Sequence, residues 1–234
     1  MAIADLSDFI RDHYEIYEWG HATAILSADF PTEFDEIKRM LEEFRLYRSW
    51  IEEGGGRKTK LAEWIDYQLG KAGWIETKFA TQIKVDEKTR DSPTHKVDCF
   101  KNRVALEVEW NNKDPFYDRD LNNFRLLFDL RVISVGVVFT RSDELQDIFN
   151  SLGRGKSYGN STTHMGKLLP KIEGGGGGGC PLLVIGIKKS LFSDQPAPAL
   201  PDKPTSKATG KPRANLKSAA RGFIQWLAED AAKS

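Results

Sequence analysis

The stretch Val97-Asp98-Cys99-Phe100-Lys101-Asn102-Arg103-Val104-Ala105-Leu106-Glu107-Val108-Glu109-Trp110 decides how this chain is read. Two β-favouring runs, 96–100 and 104–110, flank a turn near Lys101 and Asn102, which predicts an antiparallel hairpin. Along its second strand Val104, Leu106, Val108 and Trp110 point one way, while Ala105, Glu107 and Glu109 point the other. The two glutamates share a face with Cα atoms about 7 Å apart. The turn returns Asp98 to the side of the same strand, so three carboxylates converge on a volume the size of a hydrated cation. Such neighbours repel one another unless a positive charge lies among them. A hard divalent ion such as Mg²⁺ accepts oxygen ligands and keeps waters for substrate or nucleophile. Glutamates alternating with Val and Leu are also what a half-exposed edge strand shows, so spacing alone leaves both readings open.

Working outward, the hairpin is followed by a predicted helix over 118–130, a fully apolar strand over 132–139, a helix over 142–152, a short helix near 164–169 and a strand over 182–187. Strands and helices in this order predict an α/β fold, a mixed central β-sheet flanked by helices on both faces. Upstream, residues 5–18 and 31–51 read as helices, 22–26 as a short strand, 60–71 as a helix closed by Gly73, 74–85 as extended chain and 86–95 as a polar connection. Gly174 to Gly179 is an unbroken glycine run and reads as a flexible loop. The domain organisation expected is an acidic helical region over 1–53 packed on a core over 54–190, a Pro- and Lys-rich linker over 191–214 and a short helix over 215–234.

Charge sharpens this division. The 234 residues hold 34 basic and 34 acidic side chains, but residues 1–53 sum to −8 and residues 188–221 to +6. Neutrality therefore conceals a basic core and tail offset by acidic helices, and it does not exclude a polyanionic partner. No apolar run approaches the roughly 18 residues of a membrane span, and the first 20 residues carry five acids, so the reading is a cytoplasmic protein. Cys99 and Cys180 form neither a disulfide framework nor a spaced zinc cluster.

Asp98, then Glu107 and Glu109, on a hairpin followed by a helix and a buried strand, resembles the metal-dependent core of type II restriction endonucleases in the PD-(D/E)xK superfamily. The likeness is to the BglII, BstYI and BamHI group, and it extends to Lys-Asn-Arg-Val-Ala-Leu-Glu-Val-Glu at 101–109, Ser-Val-Gly-Val-Val at 134–138 and Pro-Leu-Leu-Val-Ile-Gly-Ile at 181–187. The resemblance implies that Asp98 and Glu107 bind Mg²⁺. It places Glu109 where most of the superfamily has Lys, with a role in positioning or deprotonating the attacking water. An upstream residue completes the site in this family, and Glu76 or Thr77 can hold that place. The implied reaction is hydrolysis of a DNA phosphodiester to 5′-phosphate and 3′-hydroxyl ends. A homodimer follows from cutting both strands of a palindrome with one site per chain, and a cognate DNA methyltransferase is expected in the same system.

Residues 153–167 hold three basic residues and no acid, together with hydroxyls and an amide. That is an inventory for reading base edges of double-stranded DNA, and Arg154, Lys156, Ser157, Tyr158, Asn160 and Thr162 are its candidates. Arg57, Lys58 and Lys60 at a helix start, with Lys113 and Arg119 beyond the hairpin, suit phosphates. A repair or recombination nuclease with the same core, and an inactive DNA-binding protein on the same scaffold, are the alternatives. A smear in a plasmid digest would mark the first, and loss of the acids would mark the second, but all three acids are present. A glycosidase built on Glu107 and Glu109 fits poorly, because such pairs come from different strands across a cleft.

Overall fold

The hairpin forms as its residues demand, between strands over Lys96–Lys101 and Val104–Val108. Asn102 and Arg103 sit at φ 42° and 68°, the doubly left-handed turn whose twist matches two antiparallel strands. The computed structural model describes residues 3, 6–53, 58–92 and 94–200. Its elements are α1 (Asp8–His13), β1 (Tyr14–Trp19), α2 (Ala22–Asp29), α3 (Pro31–Glu43), β2 (Leu46–Tyr47), α4 (Arg48–Glu52) and α5 (Lys60–Lys71). There follow β3 (Ile75–Lys78), β4 (Thr81–Val85), β5 (Lys88–Ser92), β6 (Lys96–Lys101), β7 (Val104–Val108) and α6 (Pro115–Asp129). The described part ends with β8 (Val135–Arg141), α7 (Leu145–Ser151), α8 (Met165–Glu173), β9 (Leu182–Ile187) and β10 (Phe192–Ser193).

Six strands form one mixed sheet in the order β1-β9-β8-β7-β6-β3. The three central strands β7, β8 and β9 are parallel and buried along their whole length. Burial on both faces is why 135–139 and 182–187 read as unbroken apolar runs. On one face α6 and α8 bring Tyr117, Leu121, Phe124, Leu127, Leu168 and Ile172 against Ala105, Val138, Leu182 and Val184. On the other, Phe44 meets Phe139 edge-on at 5.4 Å and Trp64 at 5.5 Å, which ties the segment after α3 and the helix α5 to β8. The α/β architecture with helices on both faces is thus as the pattern predicts. Helix α5 also matches its prediction residue for residue. Thr59 accepts the Ala62 N–H at 3.3 Å as its N-cap, and Gly73 leaves it at φ 90°.

Several local expectations give way. The helix expected over 5–18 stops at His13, and Tyr14–Trp19 becomes an edge strand paired antiparallel with β9. The strand expected over 22–26 is helix α2, consistent with its Ala and Leu content. The helix expected over 31–51 ends at Glu43, because Phe44 turns extended to enter the aromatic cluster and Leu46–Tyr47 pairs with β10. That pairing places residues 192–193 of the expected linker in a strand. The connection expected over 86–95 is half of a ribbon, β5 pairing with β4 around Asp86 at φ 53°. The glycine run is a series of packed turns rather than a free loop. A Cβ at Gly177 would stand 2.7 Å from Leu182 Cδ1, and one at Gly178 2.7 Å from Arg125 Cγ. Among the described residues no helix is long and apolar enough to cross a membrane. The expected C-terminal helix over 215–234 and most of the linker lie outside the described residues.

Candidate active site

The acids gather where β6 and β7 stop pairing. Cys99 lies opposite Leu106 in the last regular pair, so Asp98 comes level with Glu107. The ladder opens there and side chains take over its bonds. The Val108 N–H donates to Asp98 Oδ2 at 3.1 Å, and the Asp98 N–H donates to Glu107 Oε2 at 3.3 Å. Each carboxylate is therefore held by the backbone of the strand carrying the other. Glu107 is 2% exposed, and its second oxygen, Oε1, has no hydrogen-bond partner. Burial, then the charges of Asp120 and Asp98, drive its pKa well above the usual carboxylate range.

Glu109 is turned to different partners. Its backbone N–H continues the sheet by donating to Phe139 O at 2.9 Å. Its carboxylate accepts from Asn112 Nδ2 at 2.8 Å and from Arg119 Nη2 at 3.3 Å. Arg119 also bridges to Asp120 Oδ1 at 2.7 Å. Asp120 is 1% exposed, and its carboxyl group lies beside that of Glu109. Burial first, and Asp120 second, push Glu109 up to about 9. Burial raises Asp120 as well, so neither carboxyl of the pair ionises as readily as it would in water. Asp120 is a site residue that sequence reasoning missed. Its only signal was an acid inside the otherwise apolar face of α6, between Tyr117 and Leu121.

Asp98 and Glu107 are joined by a hydrogen bond, and Asp120, which sequence reasoning did not include, lies close enough to act on both Glu107 and Glu109. Among the described residues, no group of three or more His, Cys, Asp or Glu side chains stands ready to hold a metal ion. The donor chemistry nevertheless suits a hard cation. Asp98 and Glu107 offer oxygens only, and the unpartnered buried Oε1 of Glu107 is an acceptor that protein groups leave unsatisfied.

Glu76, the expected upstream residue, stands at the irregularity where β3 pairs with β6, and its charge acts on Asp66 together with that of Asp98. It lies on β3 with its side chain half exposed and paired to Lys96 at 2.7 Å. The alternative, Thr77, donates its hydroxyl to Ile75 O at 3.2 Å on the outer surface. The acid that approaches from upstream is Asp66 on α5, which Cys99 Sγ faces at 3.8 Å. Burial raises the pKa of Asp66, and the Asp98 charge adds to the effect. Lys58, expected on phosphates, is ion-paired to Asp66 instead. Lys60 is half exposed and pairs with Glu63 at 3.2 Å, and Arg119 is committed to the acids. Arg57 lies outside the described residues.

The 153–167 loop does sit beside the acids. Lys113, exposed, bridges to Thr162 through the backbone, and the Thr163 N–H donates to Asn112 O at 2.8 Å. Lys156, Ser157 and Asn160 are exposed and available to a partner, and Arg154 is half-buried. Tyr158 and Thr162 are not available in this way. Tyr158 is 4% exposed and stacks on Phe149 at 4.1 Å, because the loop needs an apolar anchor. Thr162 spends its hydroxyl on Gly159 O at 2.8 Å.

Compared with known families, the chain matches the model described as restriction endonuclease BglII/BglIII over residues 14–187. The match opens on the first residue of β1 and closes on the last of β9, and so spans the whole central sheet. No curated protein matches the chain.

Proposed function

Since the chain belongs to the BglII/BglIII restriction endonuclease family and family membership makes it a nuclease acting on DNA, we propose that it cuts both strands of a specific duplex sequence by Mg²⁺-dependent hydrolysis, leaving 5′-phosphate and 3′-hydroxyl ends. The observation that carries the chemistry is the buried, unpartnered Oε1 of Glu107 beside Asp98. Asp98 and Glu107 would hold the ion, which when bound supplies positive charge to the scissile phosphate and lowers the pKa of the attacking water.

The remaining work falls to the chain itself. Asp98 is oriented by the Val108 N–H, so its free oxygen keeps one direction. Glu109, once ionised, is the carboxylate placed by Asn112 and Arg119 to accept the proton of the attacking water. Arg119 balances the negative charge that Glu109 carries before that transfer. The leaving 3′-oxygen departs in line with the attacking water, and no covalent intermediate is needed.

Lys156, Ser157 and Asn160 are the side chains proposed to read base edges, with Arg154 and Lys113 on the adjoining backbone. With one acid cluster per chain, cutting both strands of a palindrome calls for a homodimer. Protecting the host genome calls for a methyltransferase of the same specificity. The test is digestion of a supercoiled plasmid by wild type and Glu107→Gln. Discrete bands with wild type, lost on substitution or on chelation, are expected. A smear, or cutting restricted to branched DNA, would instead indicate a repair or recombination nuclease and would refute the proposal.

A further inference from the structure

Arg141, the last residue of β8, is 1% exposed, the largest fully buried side chain of the described chain. It spends its donors on the loop beside the acids. Nε donates to Thr163 O at 3.1 Å, and Nη2 donates to Tyr158 O at 3.0 Å and to Thr162 Oγ1 at 3.0 Å. The guanidinium also lies over the Phe149 ring, 5.1 Å from its centre, and Tyr158 stacks on that same ring. One charged fork thus holds the loop at three residues, Tyr158, Thr162 and Thr163, its stem fixed in the central sheet.

The constraint does not end at the loop. Thr163, fully buried, exchanges two bonds with Asn112: the Thr163 N–H donates to Asn112 O at 2.8 Å, and the Asn112 N–H donates to Thr163 Oγ1 at 3.2 Å. Asn112 in turn donates from Nδ2 to Glu109 Oε2 at 2.8 Å. The path Arg141, Thr163, Asn112, Glu109 consists of hydrogen bonds among buried or half-buried groups, with no long flexible side chain in it. Hydrogen bonds from a charged donor in such surroundings are the strong ones, and a buried guanidinium gains nothing by releasing them. Lysine, a compact ammonium, cannot span both carbonyls as the planar fork does.

We propose that Arg141 is a positioning residue that couples the base-reading loop to Glu109, so that seating of the loop on its DNA sequence sets the orientation of the third carboxylate. This rests on the reading of residues 153–163 as the loop that faces the bases. The arrangement makes recognition and cleavage one geometric event. A loop displaced by a wrong base shifts Thr163, and Asn112 passes the shift to Glu109.

The experiment uses duplex oligonucleotides carrying the site mapped from the plasmid digest and each single-base variant of it, cut by wild type, Arg141→Lys and Thr163→Val. For Arg141→Lys we expect kcat on the mapped site to fall about 10- to 100-fold with KM within about threefold, since a misplaced group outside the ground-state contacts costs turnover rather than binding. The preference for the mapped site over its variants should narrow by about tenfold or more. Unchanged kcat and preference in a folded Arg141→Lys protein would overturn the coupling, as would a loss confined to KM. If Arg141→Lys shows no cooperative thermal transition, Thr163→Val decides by the same split, because it removes the hydroxyl that accepts the Asn112 N–H and meets Tyr117 while leaving the backbone bonds of Thr163 in place. Should Lys156→Ala and Asn160→Ala leave base preference as in wild type, the loop reading itself is overturned and the coupling falls with it, an outcome distinct from an inert Arg141→Lys.

Discussion

Replacing Glu109 with Gln should make the metal-free protein more stable while removing its activity. In the folded chain, burial and Asp120 push this carboxyl from 4.5 up to about 9. A group whose folded pKa is raised stabilises the fold below its unfolded pKa, and that stabilisation is lost as pH climbs toward the folded value. The window therefore runs from about pH 4.5 to about pH 9. At pH 7 the unfolded chain gains from ionising Glu109 while the folded chain does not. The gap of two and a half units between pH 7 and 4.5 corresponds to about 3 kcal/mol against folding. Glutamine keeps one oxygen, so it serves either Asn112 Nδ2, which Oε2 accepts in the wild type, or Arg119 Nη2, which Oε1 accepts, and its amide nitrogen takes the other place. That loss is the same at every pH, whereas removing the titration should raise the stability of Glu109→Gln relative to wild type by about 2–3 kcal/mol between pH 5 and pH 7, roughly 4–12 °C in Tm for a chain of this size. The assay is thermal unfolding of both proteins in chelator from pH 5 to 8.5. A Tm gain that is small at pH 5 and grows steadily toward pH 8 is expected. A gain that is absent, or equal at pH 5 and pH 8, would show that Glu109 is not held protonated by its surroundings.

Other outcomes follow from the same geometry. Asp98→Asn and Glu107→Gln should each lower plasmid cleavage by about 10²-fold or more while duplex binding in a gel-shift assay persists, because these side chains serve the reaction rather than the grip on DNA. Chelation should abolish cutting and added Mg²⁺ restore it, and full activity in excess chelator would remove the metal from the mechanism. Lys113→Ala should weaken duplex binding and reduce the slope of log affinity against log salt by about one, measured by anisotropy titration. Gly177→Ala should cost about 1–3 kcal/mol in denaturant unfolding, since its methyl would stand 2.7 Å from Leu182 Cδ1.

Much of this was legible from residue order. The hairpin, α5, α6 and the two apolar strands announce themselves because each satisfies its own period over a short range: alternation for 104–108, a three- and four-residue stripe for 117–127 and unbroken apolar residues for 135–139 and 182–187. The elements misread are those whose partners are remote in sequence. Tyr14–Trp19 is a strand because β9, some 170 residues later, offers an edge to pair with. Phe44 breaks the periodic stripe of α3 because Phe139 and Trp64 await it. The glycine run is packed because α6 and Leu182 approach it closely, which composition cannot report.

The site divides along the same line. By itself the sequence determined that Asp98, Glu107 and Glu109 share a hairpin and that a basic, hydroxyl-rich segment follows, since strand alternation and turn chemistry are local. Only the tertiary structure decided which acids are neighbours. It turned Glu109 toward Asp120 and Arg119, left Glu107 Oε1 without a partner, paired Glu76 with Lys96, and buried Tyr158 under the loop it was expected to display. Those outcomes depend on where helix α6 and the 153–163 loop dock against the ends of β7 and β8. Docking is set by the volume and burial of the whole core, which no stretch of a dozen residues contains.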